Sequence, residues 1–392
     1  MTAKPPGGRQ VIFVLGAISA LGSMAIHIMV PALPMIAGDL QITPHGAQKV
    51  ISIYLFGLAG GQLLAGPLID RIGRKPVLMA GLLLYALAAV GAALARSIDL
   101  LVAARALQAV GGATGVVTAR VLVGDLFDKA EGGRRQASLM GIVLLSPAIA
   151  PVIGGFVSAH FGWRPVLALQ AAIALPTLLA AFRLLPDSAP RSSAGARPKF
   201  FQSYGKLVRN ARFLRATCAF AGSSCALYMF LGVAPFLLIE RWGLTSDEAG
   251  LCFLLVAGAA ILGTFAVGWI EQRMDALRVG LSFGLTGACL ALVLALAGID
   301  HWTTLIGPVL LMTIGAGITG PSGIAIVVHS EPGLSGTATS LSGAMQMALA
   351  GTAAVTIGWV GQPDPVLLGI GMVACTLTAF ALAPRTPARR DS

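Results

Sequence analysis

The sequence predicts an all-α polytopic membrane protein, with twelve transmembrane helices arranged as two pseudo-symmetric six-helix bundles. Three observations predict it. The composition is too apolar for a chain that folds in water. The apolar runs number twelve and have the length of a bilayer crossing. The second half of the chain repeats the register of the first.

Hydrophobic residues make up 56% of the 392, charged residues only 11%, and mean hydropathy is +0.84. A soluble domain carries about 25% charged residues, so this chain lacks the polar surface to cover itself in water. In lipid each unpaired backbone group costs several kcal/mol, which restricts spanning structures to helices and closed barrels. Runs of roughly 20 apolar residues have helical span length. They lie at 11–36, 45–67, 77–95, 100–123, 137–159, 165–185, 213–237, 247–270, 276–298, 304–328, 336–360 and 365–383. The 49 glycines fit close helix packing. The five cysteines (Cys218, Cys225, Cys252, Cys289, Cys375) all fall in apolar runs without metal-ligand spacing and read as packing residues. Lys4 and Arg9 precede the first run as in a signal peptide. That run is too long and has no clear cleavage site, so it reads as a retained first span.

The basic residues orient the chain. Of 27 Lys and Arg, 21 lie on the connections that share a side with both termini. Only Lys49, Arg96, Arg164 and Arg241 lie on the opposite set, and Arg105 and Arg120 fall inside the fourth run. The positive-inside rule then places both termini in the cytoplasm. The net charge of +11 is a topology signal, not a nucleic-acid surface. Residues 186–212 are rich in Pro, Ser, Arg and Lys. They read as a cytoplasmic linker with a short amphipathic helix around Tyr204–Phe213. The linker separates an N-terminal six-helix bundle (1–185) from a C-terminal one with a cytoplasmic tail (213–392). The halves align at an offset of 202, pairing Thr43 with Thr245, Ala47 with Ala249, Gly61 with Gly263, Gly66 with Gly268, Arg71 with Arg273 and Val77 with Val279. A duplicated six-span unit is a transporter signature, with the substrate site at the repeat interface near the midplane.

Several segments carry a family resemblance. Gly66-Pro-Leu-Ile-Asp70-Arg71-Ile-Gly73-Arg74-Lys75 makes a tight turn with a charge cluster at helix ends. It resembles the loop signature between helices 2 and 3 of the major facilitator superfamily. Leu101-Val-Ala-Ala-Arg105-Ala-Leu-Gln108-Ala-Val-Gly111 resembles that family's helix 4 motif, with its intramembrane Arg and Gln. Ser146-Pro147-Ala-Ile-Ala-Pro151-Val-Ile-Gly154-Gly155 resembles its helix 5 antiporter motif, with Ser146 where Gly is common. Pro31-Ala-Leu-Pro34, Arg120 with Asp125, Phe161-Gly-Trp163-Arg164 and Phe236-Leu-Leu-Ile-Glu240 are similar to the Bcr/CflA subfamily of drug:proton antiporters. The resemblance implies the major facilitator fold and efflux of small amphipathic molecules coupled to proton influx. It implies a charge relay of Asp70, Arg74 and Asp125 that holds the outward-facing state. Gly66, Arg71, Gly73, Lys75 and Arg120 complete this gating set, and Pro147, Pro151, Gly154 and Gly155 form a bending helix. The second-half copy of the loop has Gln272 in place of the acid.

One departure stands out. The subfamily often has an acid four residues before the first Pro of Pro-Ala-Leu-Pro, and here that position is His27. No Asp or Glu lies deep in any span, and Asp39, Asp125 and Glu240 sit at span ends. An ionisable group inside a span is a functional hypothesis by default. His27 and Arg105 come to similar depths, ~13 Å and ~9 Å from one end of their spans at 1.5 Å per residue. Imidazole titrates near neutrality, which makes His27 the candidate proton-coupling group and Arg105 its electrostatic neighbour. A neutral His27 bonded within the bundle is the bland alternative. Met24, His27, Tyr54, Arg105, Gln108, Tyr228, Met229, Phe230 and Gln346 are the candidate substrate-cavity residues. Aromatic and Met surfaces suit varied apolar ligands, although each also serves plain helix packing.

The sequence offers no enzyme chemistry. It has no His-Glu-x-x-His pair, no Gly-x-Ser-x-Gly turn and no Walker lysine, and Gly111-Gly-Ala-Thr-Gly115 sits inside an apolar run. No cofactor or metal is expected. The expected partners are a small-molecule substrate, protons and the bilayer, with the chain acting as a monomer. A proton-coupled or facilitative metabolite transporter and a membrane ligand sensor that moves nothing are the competing readings.

Overall fold

The computed structural model describes residues 8–127, 129–185, 200–331, 334–359 and 362–384. Most of the anticipated linker (186–199) and the tail from 385 onward lie outside the described residues. The first span is composite, with α1 (Gly8–His27), a 3-10 turn (Val30–Ala32) and α2 (Leu33–Asp39). Next come α3 (Pro44–Ile72), α4 (Arg74–Ala93), α5 (Ile98–Leu126), α6 (Lys129–Phe161) and α7 (Trp163–Leu184). A short α8 (Phe200–Arg209) precedes α9 (Ala211–Phe236), which ends in a wide turn (Leu237–Arg241). The rest are α10 (Ser246–Glu271), α11 (Ala276–Leu296), α12 (Thr303–Val328), α13 (Ser335–Trp359) and α14 (Pro365–Leu382). Among the described residues twelve spans are long and apolar enough to cross a membrane, as the apolar runs predict.

Local chemistry explains the boundaries. Pro31 and Pro34 have no N–H to offer the carbonyls four residues earlier, so α1 stops at His27 and restarts at Leu33. The Met29 N–H turns to Ile26, 3.2 Å away, which leaves the Ala25 carbonyl without its helical donor. Thr43 and Thr245, paired by the repeat, are the N-caps of α3 and α10, and Glu248 completes a capping box. α3 runs five residues past its expected end at 67, and α6 starts eight residues before 137. Helical hydrogen bonding does not stop where hydrocarbon does, and α3 ends only at Gly73, whose φ of 103° breaks it. The amphipathic helix forms four residues earlier than expected. Asn210 ends it because its side chain caps α9, accepting from the Arg212 and Phe213 N–H groups at 3.0 and 3.1 Å.

Packing repeats between the halves. α5 crosses α3 and α4, as α12 crosses α10 and α11. Glycines allow each crossing. Gly61 meets Ala113 and Val110 while Gly263 meets Ile314, and Gly111 meets Gly81 and Tyr85 while Gly315 meets Gly280 and Gly284. Each half is also pinned at the face opposite the chain ends. Asp39 accepts from Arg164 at 2.7 Å and Trp163 at 3.1 Å, and Arg164 reaches the Ala95 carbonyl at 3.2 Å. In the second half Asp300 accepts from Arg241 at 3.0 Å and Trp242 at 2.7 Å. Asp39 and Arg241 are 202 apart, so equivalent ends of the first and seventh spans are both pinned, the first to the start of α7 and the second to the connection between α11 and α12. Arg241 and then Trp242 hold the exposed Asp300 carboxyl below the usual carboxylate range. The joint is therefore complete at neutral pH and is lost only as pH falls through that lowered value.

The halves meet through α3 with α13 and α6 with α10. Gly155 packs on Ser246 and Asp247, Gly250 on the Pro151 carbonyl, and Gly358 on His45 and Gln48. These contacts close the face opposite the chain ends. Toward the chain ends, Arg120 of α5 and Ile324 of α12 are exposed.

A methyl group at Gly111 would sit 2.7 Å from the Tyr85 N–H nitrogen, so backbone must shift. Gly111→Ala should cost about 1–3 kcal/mol and lower the unfolding temperature in detergent. Gly258→Ala, with open space around it, should leave it unchanged.

Candidate transport site

A cavity of about 230 Å³ lies between the halves. The first half contributes Ser23 and His27 from α1 and Pro147 and Pro151 from α6. The second contributes Ser224 and Tyr228 from α9, Phe253 and Val256 from α10, Thr313 from α12 and Gln346 from α13. His27 is 8% exposed. Its Nδ1–H donates to the Ser23 carbonyl at 2.9 Å, which leaves Nε2 as the group available for exchange. Its ring centre is 6.3 Å from that of Tyr228. Across the cavity the Gln346 amide donates to the Ser224 hydroxyl at 2.6 Å. Pro147 and Pro151 continue α6 without donating to the carbonyls of Val143 and Pro147. Gly155 then lets its far end touch Ser246 and Asp247 of the second half, while Gly154 packs on Ile28 of the first span.

Behind α1 is a second, fully buried polar network. The Arg105 guanidinium donates to Gln108 at 2.7 Å and to the freed Ala25 carbonyl at 2.8 Å. It lies 4.2 Å over the Tyr54 ring. Gln108 donates to Gln170 at 2.8 Å, and Tyr85 donates to the Leu21 carbonyl at 3.2 Å. Tyr54 donates to the Gly22 carbonyl at 3.1 Å. Five helices (α1, α3, α4, α5 and α7) are joined this way.

Of the candidate cavity residues, the structure brings His27, Tyr228 and Gln346 into the wall. It places Tyr54, Arg105 and Gln108 fully buried in the network behind it. Phe230 is buried edge-on to Phe253 at 5.8 Å, and the Met229 sulfur lies 3.9 Å from Cys375. Met24 is half-buried against the core. His27 and Arg105 share a depth but are turned apart. Arg105 grips Ala25, and two residues are about 200° around an α-helix. Tyr85 and Gln170 belong to the network and were not among the sequence candidates. Their signal was simply that each is a polar group inside an apolar run.

The sequence model of the Major Facilitator Superfamily matches residues 12–355. The chain belongs to the Major Facilitator Superfamily. It is 28% identical to Multidrug resistance protein D of Escherichia coli over 369 residues, 93% of this chain and 92% of that protein. It is 28% identical to a Chloramphenicol resistance protein of Pseudomonas aeruginosa, covering 78% of this chain and 73% of that one. It is 25% identical to a Bicyclomycin resistance protein homolog of Haemophilus influenzae, covering 86% of each. Among solved structures, a D-xylose-proton symporter superposes with a TM-score of 0.75 at 14% identity, covering 96% of this chain and 98% of that one. A bacterial homolog of the human lysosomal transporter Spinster does so with 0.75 at 16%, covering 96% of each. These structural likenesses concern the fold.

The superfamily loop joins α3 to α4 on the side of the chain ends. Arg74 Nε donates to Asp125 Oδ2 at 3.0 Å, joining the start of α4 to the end of α5. Lys75 lies 5.4 Å over the Phe182 ring, and Arg71 is exposed. Gly66 and Pro67 lie in the last turns of α3. The side chain of Asp70 lies outside the described residues. Arg120 is exposed, on the same face of α5 as Arg105, with no hydrogen-bond or ion-pair partner among the described residues.

Removing Arg105 leaves the Ala25 carbonyl and the Gln108 amide oxygen buried and unpaired. Arg105→Ala should destabilise the superfamily fold by about 2–4 kcal/mol, read as a lower unfolding temperature of the purified protein. Arg105→Lys should recover less than half of it, since an ammonium lacks the planar fork. An unchanged unfolding temperature in Arg105→Ala would remove the network from the account of stability.

Proposed function

We propose that this chain exports small amphipathic, drug-like molecules across the bacterial inner membrane in exchange for protons, by alternating access. The observation that carries this reading is His27, the imidazole in the cavity wall, a side chain able to carry a proton where no carboxylate lines the cavity. Its Nδ1 is committed to Ser23, so Nε2 takes and releases the proton. The relatives named for multidrug, chloramphenicol and bicyclomycin resistance support export as the direction. The placement of 21 basic residues on one side supports cytoplasmic termini.

The bodies that rock are residues 1–185 and 213–392, connected by the linker 186–212. The joints on which they rock are α3 with α13 and α6 with α10. Both halves supply cavity wall, so a monomer suffices. Closing the cytoplasmic side engages the Gly66–Lys75 loop, with Arg74 and Asp125 in its relay and Arg120 in the closing wall. Arg105 acts on coupling by fixing the break in the first span from behind, not by touching the proton.

In everted vesicles, His27→Gln should abolish substrate accumulation driven by a pH gradient while substrate–substrate exchange continues. Gradient-driven accumulation at the parental rate in His27→Gln would falsify the assignment of the proton to His27.

A further inference from the structure

The charges available to the cavity restrict what it holds. Among the described residues the Asp and Glu side chains lie in loops, in first turns, at caps or near span ends, and none lines the cavity. Asp39, the nearest to His27 in sequence, is engaged with Arg164, and Asp125 with Arg74. The polar groups on the wall are hydroxyls, one amide and the His27 imidazole. Ser224 accepts from Gln346 and donates to the Phe220 carbonyl at 3.4 Å, which leaves the Gln346 amide oxygen and its second N–H for a ligand. The remaining wall is apolar, much of it from α10.

A cation brought here gives up its hydration and finds no counter-ion. When His27 carries a proton, the cation also meets a like charge. Besides neutral dipoles, which do not replace a counter-ion, the wall offers a cation only the rings of Tyr228 and Phe253, and each already faces another ring, His27 and Phe230. An uncharged molecule with amide or hydroxyl groups on one side pays neither penalty. Its polar side meets Ser224, Gln346 and His27, and its apolar side lies on α10.

We propose that the cavity takes uncharged amphipathic molecules bearing hydroxyl or amide groups and rejects lipophilic cations of the same size. This rests on the cavity being the transport site and adds the charge class of its substrate. It has an electrical consequence. Exchange of an uncharged molecule for a proton moves net positive charge inward, so membrane potential drives transport as well as the pH gradient.

The test uses two fluorescent probes that differ in charge, dansyl-ethanolamide and dansylaminoethyl-trimethylammonium. Binding to the full-length protein in nanodiscs is measured without a gradient. The uncharged probe should bind about tenfold or more tightly, and Val256→Glu, which puts a carboxylate in the wall, should shrink or reverse that preference. Equal or tighter binding of the quaternary probe by the parental protein overturns the proposal, as does failure of the uncharged probe to bind. Transport in proteoliposomes separates this from the proton reading. Preference for the uncharged probe without gradient-driven transport sinks proton exchange and leaves the charge class standing. Gradient-driven transport of the quaternary probe does the reverse.

Discussion

The hydrogen bond from Arg105 to the Ala25 carbonyl settles a problem that the rest of the first half is built around. Two prolines break the first span in the middle of a membrane. A break frees backbone carbonyls where no water can reach them, and each unpaired group there costs several kcal/mol. Arg105 supplies the missing donor from another helix. The guanidinium is then buried itself and needs support. Tyr54 lies under it, Gln108 takes its second edge, and Gln170 holds Gln108. One broken turn thus accounts for polar side chains on three further helices. The same break sets the height of His27, the last residue before it, and delivers the turn Val30–Ala32 against α9 and α10 at the closed side.

The duplication supplies the machinery around that break. Equivalent helices cross at equivalent glycines, and equivalent threonines start α3 and α10. The joints between the halves are related in the same way, since α3 meets α13 and α6 meets α10. A contact surface of glycine and backbone is thin and smooth, and small residues let helices approach closely without committing long side chains. The latches Asp39–Arg164 and Arg241–Asp300 lie within a half and never across the joint. Rocking therefore leaves them intact.

Much of this was legible in the sequence because it depends on local or periodic properties. Span number follows from apolar length, and the repeat register from residues such as Thr43 and Thr245 that have fixed jobs at helix starts. The loop Gly66–Lys75 identified the superfamily because its turn requires Gly73 at a backbone angle other residues avoid. Direction around a helix was not legible. Depth along the membrane put His27 and Arg105 side by side, whereas the angle about α1 separates them, and that angle depends on which neighbour each helix packs against. Tyr54 and Gln108 went behind the cavity for the same reason. The end of α8 was misplaced because Asn210 caps the next helix, a choice fixed by Phe213 packing into the core with Leu207.

The repeat also shows where the halves have parted. At the offset of 202, Tyr54 corresponds to Val256, Arg105 to Gly307, Gln108 to Leu310 and Gln170 to Met372. Every polar member of the first-half network has an apolar or small counterpart. The second half has no proline break in its seventh span to repair: Pro235 comes late, and the wide turn Leu237–Arg241 follows at the closed face. Without the broken turn the network has no purpose, and without the network the equivalent helix face is free to line the cavity, as Val256 does. The two walls therefore differ in stiffness as well as polarity. In the first half the buried network fixes the broken span on which His27 is the last residue before the break, a stiff support for the group proposed to gain and lose a proton. The second half presents mostly aliphatic and aromatic side chains, which can repack around ligands of different shape. In the proposed exchange, division of the two tasks between halves lets substrate shape vary without disturbing the group proposed to carry the proton.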